Sequence, residues 1–118
     1  KMEQFLNKVP METFNIKTIL DSMERKPLSK EVFCITDNLK AQVMRLEAGN
    51  SIPPCKMDND VLFYVLKGEG KITVDDETCT LGTGDCIVVP HEAESKSIHA
   101  LTDLEIFAVQ GIIKQHQN

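Results

Sequence analysis

The two stretches FYVLKGEGKITVD (residues 63–75) and LGTGDCIVVP (residues 81–90) decide the fold of this chain. Each stretch contains short runs of apolar and β-branched residues, and glycine or aspartate residues separate the runs. Gly68 allows the chain to reverse after the first run, and residues 75–77 and 82–85 form two further polar turns. The two stretches therefore predict short antiparallel strands that follow one another closely along the chain.

Similar short runs continue on both sides of these stretches. The predicted strands are residues 32–36, 41–46, 61–66, 71–74, 78–81, 86–89, 97–101 and 104–109. Regularly spaced short strands with polar turns are typical of an all-β sandwich or barrel. A parallel α/β sheet is not expected, because the predicted strands do not alternate with long amphipathic helices.

The N-terminal part of the chain differs from the rest. Phe14, Ile16 and Ile19 are spaced partly like a strand and partly like a helical turn, and Pro27 ends the segment. This pattern predicts an N-terminal arm with a short strand and a turn. We therefore divide the chain into an N-terminal arm (residues 1–30), a barrel (residues 31–113) and a flexible polar tail (residues 114–118).

Composition and charge exclude several classes of function. Hydrophobic residues make up 42% of the 118 residues, which is enough to fill one core. The net charge of −5 argues against nucleic-acid binding, which requires clustered basic residues that neutralise phosphates. No apolar run is long enough to span a membrane and no secretion signal is found, so we expect a cytoplasmic protein. The four cysteines form no Cys-x-x-Cys pair, so structural zinc and disulfides are not expected.

The sequence between residues 41 and 109, which includes both stretches quoted above, resembles that of a small single-domain cupin. The resemblance implies a double-stranded β-helix, the jelly-roll barrel of two antiparallel sheets found in RmlC-like proteins. It also implies a homodimer in which N-terminal arms and sheet edges pack across a two-fold axis. The run of residues 61–66 favours a dimer independently, because it is apolar on both faces and needs cover on its outer side.

The resemblance also implies where a metal ion would lie. Cupin enzymes hold a divalent metal with three histidines and one carboxylate, and two sequence blocks supply these ligands. The first block aligns with residues 49–68 and places Cys55, Met57 and Val61 at its three ligand positions. None of the three is a histidine or a glutamate, which are the residues that the family pattern expects.

The second block aligns from Gly84 onward and places Ser95 at the position of the remaining histidine. A one-residue insertion in the loop after Pro90 places Lys96 there instead, and the sequence leaves both alignments open. Neither residue is a ligand of the expected type. The resemblance therefore covers the fold of a cupin but not its metal site.

Two interpretations of the substituted positions are compatible with the sequence. In the first, the barrel interior is an apolar hollow that holds no metal ion and no cofactor, and its cysteine and methionine fill space. In the second, Cys55 and Met57, with another cysteine or His99, hold a soft ion such as Cu(I). We favour the first, because Val61 offers no donor atom and soft sites usually need two thiolates or several thioethers.

The predicted ligand pocket combines residues that strand alternation or the resemblance permits inside the barrel. They are Arg45, Cys55, Met57, Val61, Phe63, Ser95 and His99. Alternation allows Arg45 to point either into the pocket or to solvent, and it gives His99 the same parity as Ser95. Tyr64 alternates with Phe63, so we expect its side chain on the outer face of the sheet.

These observations favour a metal-free module that binds or senses a small molecule of unknown identity. The alternative is a cupin enzyme of the dioxygenase or isomerase class that uses a soft metal site or the chemistry of Cys55 and His99. A structural dimer without a ligand is the third hypothesis, because cupin-like folds host all three kinds of protein.

Overall fold

Residues 10–112 are described by a computed structural model, and within them the chain forms one helix and nine strands. The elements are α1 (Ile16–Ser22), β1 (Leu28–Ile35), β2 (Leu39–Leu46), β3 (Ser51–Cys55), β4 (Val61–Lys67), β5 (Glu69–Val74), β6 (Glu77–Gly82), β7 (Cys86–Val89), β8 (Lys96–Ala100) and β9 (Leu104–Gly111). The prediction of an all-β fold is confirmed. Each of the eight predicted strands overlaps an observed one, and β3 was not predicted.

The strands form two antiparallel sheets. One sheet has five strands in the order β1-β2-β9-β4-β7, and the other has four in the order β3-β8-β5-β6. Strands that are close in sequence often lie in different sheets, as β4 and β5 do, so the chain passes back and forth between the two layers. This arrangement is that of the jelly-roll barrel that the resemblance implied.

Gly68 is the point where the chain crosses from the five-stranded sheet to the four-stranded sheet. It separates β4 from β5 and has a φ of +93°, a backbone conformation that other residues adopt only with strain. A Cβ atom at this position would overlap the carbonyl oxygen of Asp103. Gly68 is therefore required both by its dihedral angle and by the close approach of another loop.

The main core fills the space between the two sheets. Its side chains alternate along the strands, as a half-buried strand requires, and they come from both layers. The buried members include Leu46 and Phe63 from the five-stranded sheet and Ile72 and Ile98 from the four-stranded sheet. The barrel interior is thus a packed apolar layer that holds the sheets together.

A second, smaller core lies on the outer face of the five-stranded sheet. Leu20 and Met23, at and just after the end of α1, pack with Val43 of β2. The structure corrects the prediction of a short strand in this arm. The Asn15 side chain accepts a hydrogen bond from the Thr18 backbone N–H at 2.9 Å and so caps a helix that begins at Ile16.

The predicted boundaries can be compared with these elements only in part. Strand β1 begins at Leu28, inside the segment that we assigned to the arm. The predicted tail lies outside the described residues, as does the beginning of the arm. Within residues 10–112, α1 is far too short to cross a bilayer, and no other helix is present.

Candidate functional site

The most unusual side chain in the barrel belongs to Lys96, the first residue of β8. The exposed fraction of Lys96 is 5%, and Lys96 is the only charged residue in the buried class among residues 10–112. Its Nζ atom lies 5.2 Å from the centroid of the Phe63 ring. An ammonium at this distance from a ring is attracted by the negative face of the π-system.

Strand alternation explains why Lys96 points inward. The residues with the same parity on β8, Ile98 and Ala100, are buried in the main core. Lys96 is paired across the sheet with Cys55 on one side and with Val74 on the other. Directly paired residues direct their side chains to the same face, so Lys96 is flanked by β3 and β5 on the barrel side.

The Lys96 ammonium has no acidic partner within the described part of the chain. Within residues 10–112 it contacts the Phe63 ring and forms no hydrogen bond. Most of the Lys96 side chain is buried, but its Nζ atom is not sealed from solvent. Lys96 therefore presents an unpaired ammonium that an anion can reach.

The three residues at the first-block positions surround the same end of the barrel. Val61 begins β4 and is 2% exposed, and Met57 lies on the segment between β3 and β4, half-buried against the main core. Cys55 ends β3 and is exposed. With Phe63 and Lys96, these residues define what we call the barrel mouth: Cys55, Met57, Val61, Phe63 and Lys96.

The structure corrects the predicted orientation of Ser95 and His99. Both have the parity opposite to that of Lys96, so they lie on the outer side of the four-stranded sheet. His99 Nδ1 is 2.6 Å from Ser51 Oγ on β3. Ser95 is held in the loop before β8, where its backbone N–H donates to Asp75 Oδ1 at 3.0 Å.

Arg45 also lies outside the barrel. Its neighbours Met44 and Leu46 face the main core, so Arg45 faces the helix side of the five-stranded sheet. Its guanidinium donates to the Leu20 carbonyl oxygen at 2.9 Å and to Glu105 Oε2 at 3.3 Å. The sequence left two orientations of the Arg45 side chain open, and in the structure it points away from the predicted pocket.

Cys55 and His99 are not close enough to act as a nucleophile and a base. Cys55 is paired with Lys96, whereas His99 is paired with Ser51. These positions are separated by three residues of β8, which corresponds to about 10 Å along a strand. The two side chains also lie on opposite faces of the sheet.

The barrel interior is filled, which corrects the prediction of an open hollow. A void lined by Phe63, Val65, Ile72 and Ile98, among others, has a volume of about 10 Å³. Such a void has room for about one water molecule. At the mouth, the side chains of Met57 and Val61 pack against the main core. A ligand that enters the barrel must therefore move a side chain.

Comparison with known proteins agrees with this architecture. The family model described as a cupin domain matches residues 42–103, more than half of the 118 residues. The chain belongs to the cupin family. A cupin superfamily protein from Desulfitobacterium hafniense has a TM-score of 0.74 at 20% identity, with coverage of 89% of this chain and 95% of that one. An RmlC-like cupin from Desulfovibrio desulfuricans also has a TM-score of 0.74 at 20% identity, with coverage of 86% and 97%.

A curated relative of this cupin is the Msm operon regulatory protein of Streptococcus mutans. The two sequences are 33% identical over 48 residues, which is 41% of this chain. The matched part spans only 17% of the regulatory protein. The similarity to solved structures shows a shared fold, and the similarity to the regulatory protein covers a segment of each chain.

The residues at the mouth of this cupin do not fit the metal ion that cupin enzymes hold. Val61 offers a hydrocarbon and Met57 a single thioether, which is a weak ligand for a divalent ion. Lys96 places an ammonium in the same region, and its positive charge repels a cation. His99, which the soft-ion hypothesis named as one possible further ligand, lies on the outer face. The donor set is therefore unsuited to either kind of ion.

A separate cluster of ionisable side chains lies at the surface. Asp60, His91 and Glu92 are exposed, and their nearest ligand atoms lie within 4.8 Å of one another. Asp60 Oδ1 accepts a hydrogen bond from the backbone N–H of His91 at 2.8 Å. The same oxygen lies 2.9 Å from Nδ1 of the His91 ring. Asp60 immediately precedes β4 and His91 follows β7, so the contact joins the two segments.

The Asp60–His91 contact shifts the pKa of both groups. The side-chain hydrogen bond to Asp60, followed by the charge of Glu92, raises the pKa of His91 above 6.5. The side-chain hydrogen bond from His91 lowers the pKa of Asp60 below 3.8. The contact with charged His91 stabilises the folded state fully below pH 6.5, and this stabilisation is lost as the pH rises through the raised pKa of His91. The contribution of Asp60 is present above pH 3.8 and is lost as the pH falls through the lowered pKa.

The contact therefore predicts the titration of His91. Asp60→Asn should lower the pKa of His91 toward 6.5, because it removes the main group that favours the charged imidazole. Glu92→Gln should lower it less, because Glu92 acts through its charge alone. The measurement is the pH dependence of the imidazole proton resonances by NMR. An unchanged His91 pKa in Asp60→Asn would show that the contact is not formed in solution.

Proposed function

We propose that this cupin is a metal-free module that binds a small molecule at the barrel mouth. The observation that carries the proposal is the inward Lys96, whose ammonium lies over the Phe63 ring where a cupin enzyme holds a cation. A fixed positive charge at this place supplies electrostatic attraction without an ion. The apolar side chains of Met57 and Val61 beside it suit the hydrocarbon part of a ligand.

Met57 is the part of the mouth best suited to move. It lies between β3 and β4, outside any strand, and is only half-buried. Methionine has three rotatable bonds and adapts its shape more readily than branched side chains do. We therefore propose that the ligand displaces Met57 and takes its place against Phe63 and Val61. The free energy of that displacement lowers the apparent affinity of the ligand.

A sensor role is consistent with the one curated relative described above, which is a regulatory protein. Displacement of Met57 would couple ligand binding to the segment between β3 and β4. Because that segment is at the surface, another macromolecule could bind it differently in its new position. We propose a cytoplasmic location as well, since all four cysteines are free thiols, which persist in reducing compartments.

The binding proposal is tested by thermal unfolding in the presence of single compounds. A panel of small acids, amides, sugars and aromatic compounds should contain members that raise the melting temperature of the wild type. Met57→Glu should abolish those shifts, because it places a carboxylate where the ligand would pack, close enough to the mouth to pair with Lys96 in place of the ligand. Leu101→Glu is the matched control, because Leu101 is an exposed apolar residue in the turn after β8. It should leave the shifts intact.

The proposal fails if no compound shifts the wild type, or if Met57→Glu responds as the wild type does. Elemental analysis of the same preparation, made without chelator, should find far less than one equivalent of Fe, Mn, Ni or Cu. A near-stoichiometric amount of any of these metals that Cys55→Ser reduces and His91→Ala does not would contradict a metal-free mouth, whereas a metal lost in His91→Ala would lie at the surface cluster.

We also propose that the protein forms a homodimer through the outer face of the five-stranded sheet. An apolar groove on this face has a volume of about 430 Å³ and includes Phe33, Tyr64 and Phe107. Nearby on the edge strand β7, Val88 is 58% exposed. An exposed apolar surface of this kind is typical of a protein–protein contact, and a second copy of the same sheet would cover it.

The dimer proposal predicts a particle of twice the chain mass by light scattering after size exclusion. Tyr64→Lys should give a particle of one chain mass, because Tyr64 is 39% exposed on this face and a lysine there would be desolvated. Leu101→Lys is the control, because Leu101 is exposed in the turn between β8 and β9 and does not line the groove, and it should stay dimeric. A wild type that elutes as a monomer at all concentrations would contradict the proposal.

A further inference from the structure

We infer that the ligand of the barrel mouth is a monocarboxylate with an apolar body, whose carboxylate pairs with the Lys96 ammonium. This inference rests on the proposed binding function and adds the chemical class of the ligand. It starts from Lys96, a buried residue whose ammonium has no acidic partner within residues 10–112.

Three other lysines have the acidic partner that Lys96 lacks. Lys17 contacts Asp21 at 3.0 Å, Lys26 contacts Glu24 at 3.3 Å and Lys56 contacts Glu94 at 3.5 Å, although all three are largely solvated. Lys96 is buried and has no such partner within residues 10–112. The Lys96 Nζ atom forms no hydrogen bond to the described residues, yet it is not sealed from solvent, so an anion from outside the chain can reach it and supply the counter-charge.

The walls of the mouth indicate what kind of anion fits. Met57, Val61 and Phe63 supply apolar surface, and the nearby Ala93 is buried as well. Among the mouth side chains Lys96 is the strong hydrogen-bond donor. A phosphate group usually needs several donors or a bidentate guanidinium, and a sugar needs many polar partners. A single carboxylate on a hydrocarbon or aromatic body matches one ammonium and apolar walls.

Charges around the mouth favour a monoanion over a multiply charged one. Glu92 and Glu94 are exposed in the loop before β8, and Asp60 is exposed at the start of β4. Their carboxylates repel an approaching anion in proportion to its charge. Lys56 lies in the same region, where its Nζ donates to the Ala93 carbonyl oxygen at 3.2 Å. One negative charge on the ligand is thus attracted by Lys96 with the least opposition.

The inference is tested with matched pairs of probes. The probes are the straight-chain monocarboxylates from acetate to octanoate, benzoate, the primary amide of each, and inorganic phosphate. Dissociation constants are measured by calorimetry with the wild type, Lys96→Met and Lys71→Met. Lys71 is an exposed lysine of β5 and serves as the control for the loss of one positive charge.

At least one carboxylate should bind the wild type about tenfold or more tightly than its own amide, because a charge-assisted pair is lost in the amide. Lys96→Met should lose that preference, while Lys71→Met should keep it. The melting temperature of Lys96→Met without ligand should stay close to that of the wild type, since methionine keeps most of the apolar packing of the lysine stem and the ammonium has no ion-pair partner within residues 10–112. This second measurement also shows that the variant is folded.

Each contrary outcome has a distinct meaning. If amides or other neutral compounds bind as tightly as the carboxylates, the inference is wrong and the binding function stands. The same holds if phosphate binds more tightly than every carboxylate, or if Lys96→Met retains the preference for carboxylates. A clear drop in the melting temperature of ligand-free Lys96→Met would assign Lys96 to packing and overturn the inference. If no compound of the panel or of the wider screen binds, the proposed function itself fails.

Discussion

The contact between the Lys96 ammonium and the Phe63 ring is the interaction on which the account of this protein depends. It places a positive charge at the mouth of the barrel, in the region where the resemblance to cupin enzymes implied a metal cation. The charge comes from a side chain, so it cannot offer a donor atom to an ion or polarise a bound oxygen as a metal does. What remains possible at this place is attraction of an anion and packing of an apolar group.

The fold produces this situation through strand pairing. Lys96 is the first residue of β8, and its neighbours across the sheet are Cys55 and Val74. The preceding loop is tied to the β5–β6 turn, because Asp75 Oδ1 accepts the backbone N–H groups of Glu94 and Ser95. Those two hydrogen bonds fix where the strand begins. They therefore fix the parity that directs Lys96, rather than Ser95, into the barrel.

The sequence predicted the fold well and the site only in part. Alternating apolar residues and glycine turns identified eight strands, since both signals are local. Strand β3 was missed because Pro53 and Pro54 lie within it, and proline usually indicates a break in a strand. The helix was missed because the spacing from Ile16 onward suits both periods, and its cap depends on the Asn15 side chain.

At the site, the predicted pocket residues of β8 differ from the observed ones by a shift of one position along the strand. Shifting a strand by one position exchanges its two faces, so choosing Ser95 directed His99 inward and Lys96 outward. The apolar residues Ile98 and Ala100 have the parity of Lys96, and they were the signal in the sequence that favoured the second alignment. The positions of Val61 and Phe63 did not depend on this choice, because they follow from the strong apolar alternation of β4. The closed interior and the Asp60–His91 contact depend on packing between distant segments, which sequence spacing does not show.

The central claim, that Lys96 is inside the barrel over an aromatic ring, is tested most directly by NMR of the side-chain protons of Lys96. The account predicts that its ε-methylene protons resonate upfield of their usual position, because they lie over the face of the Phe63 ring, and that they show nuclear Overhauser effects to the ring protons. Resonances at the usual position of a solvated lysine, without such contacts, would contradict the account.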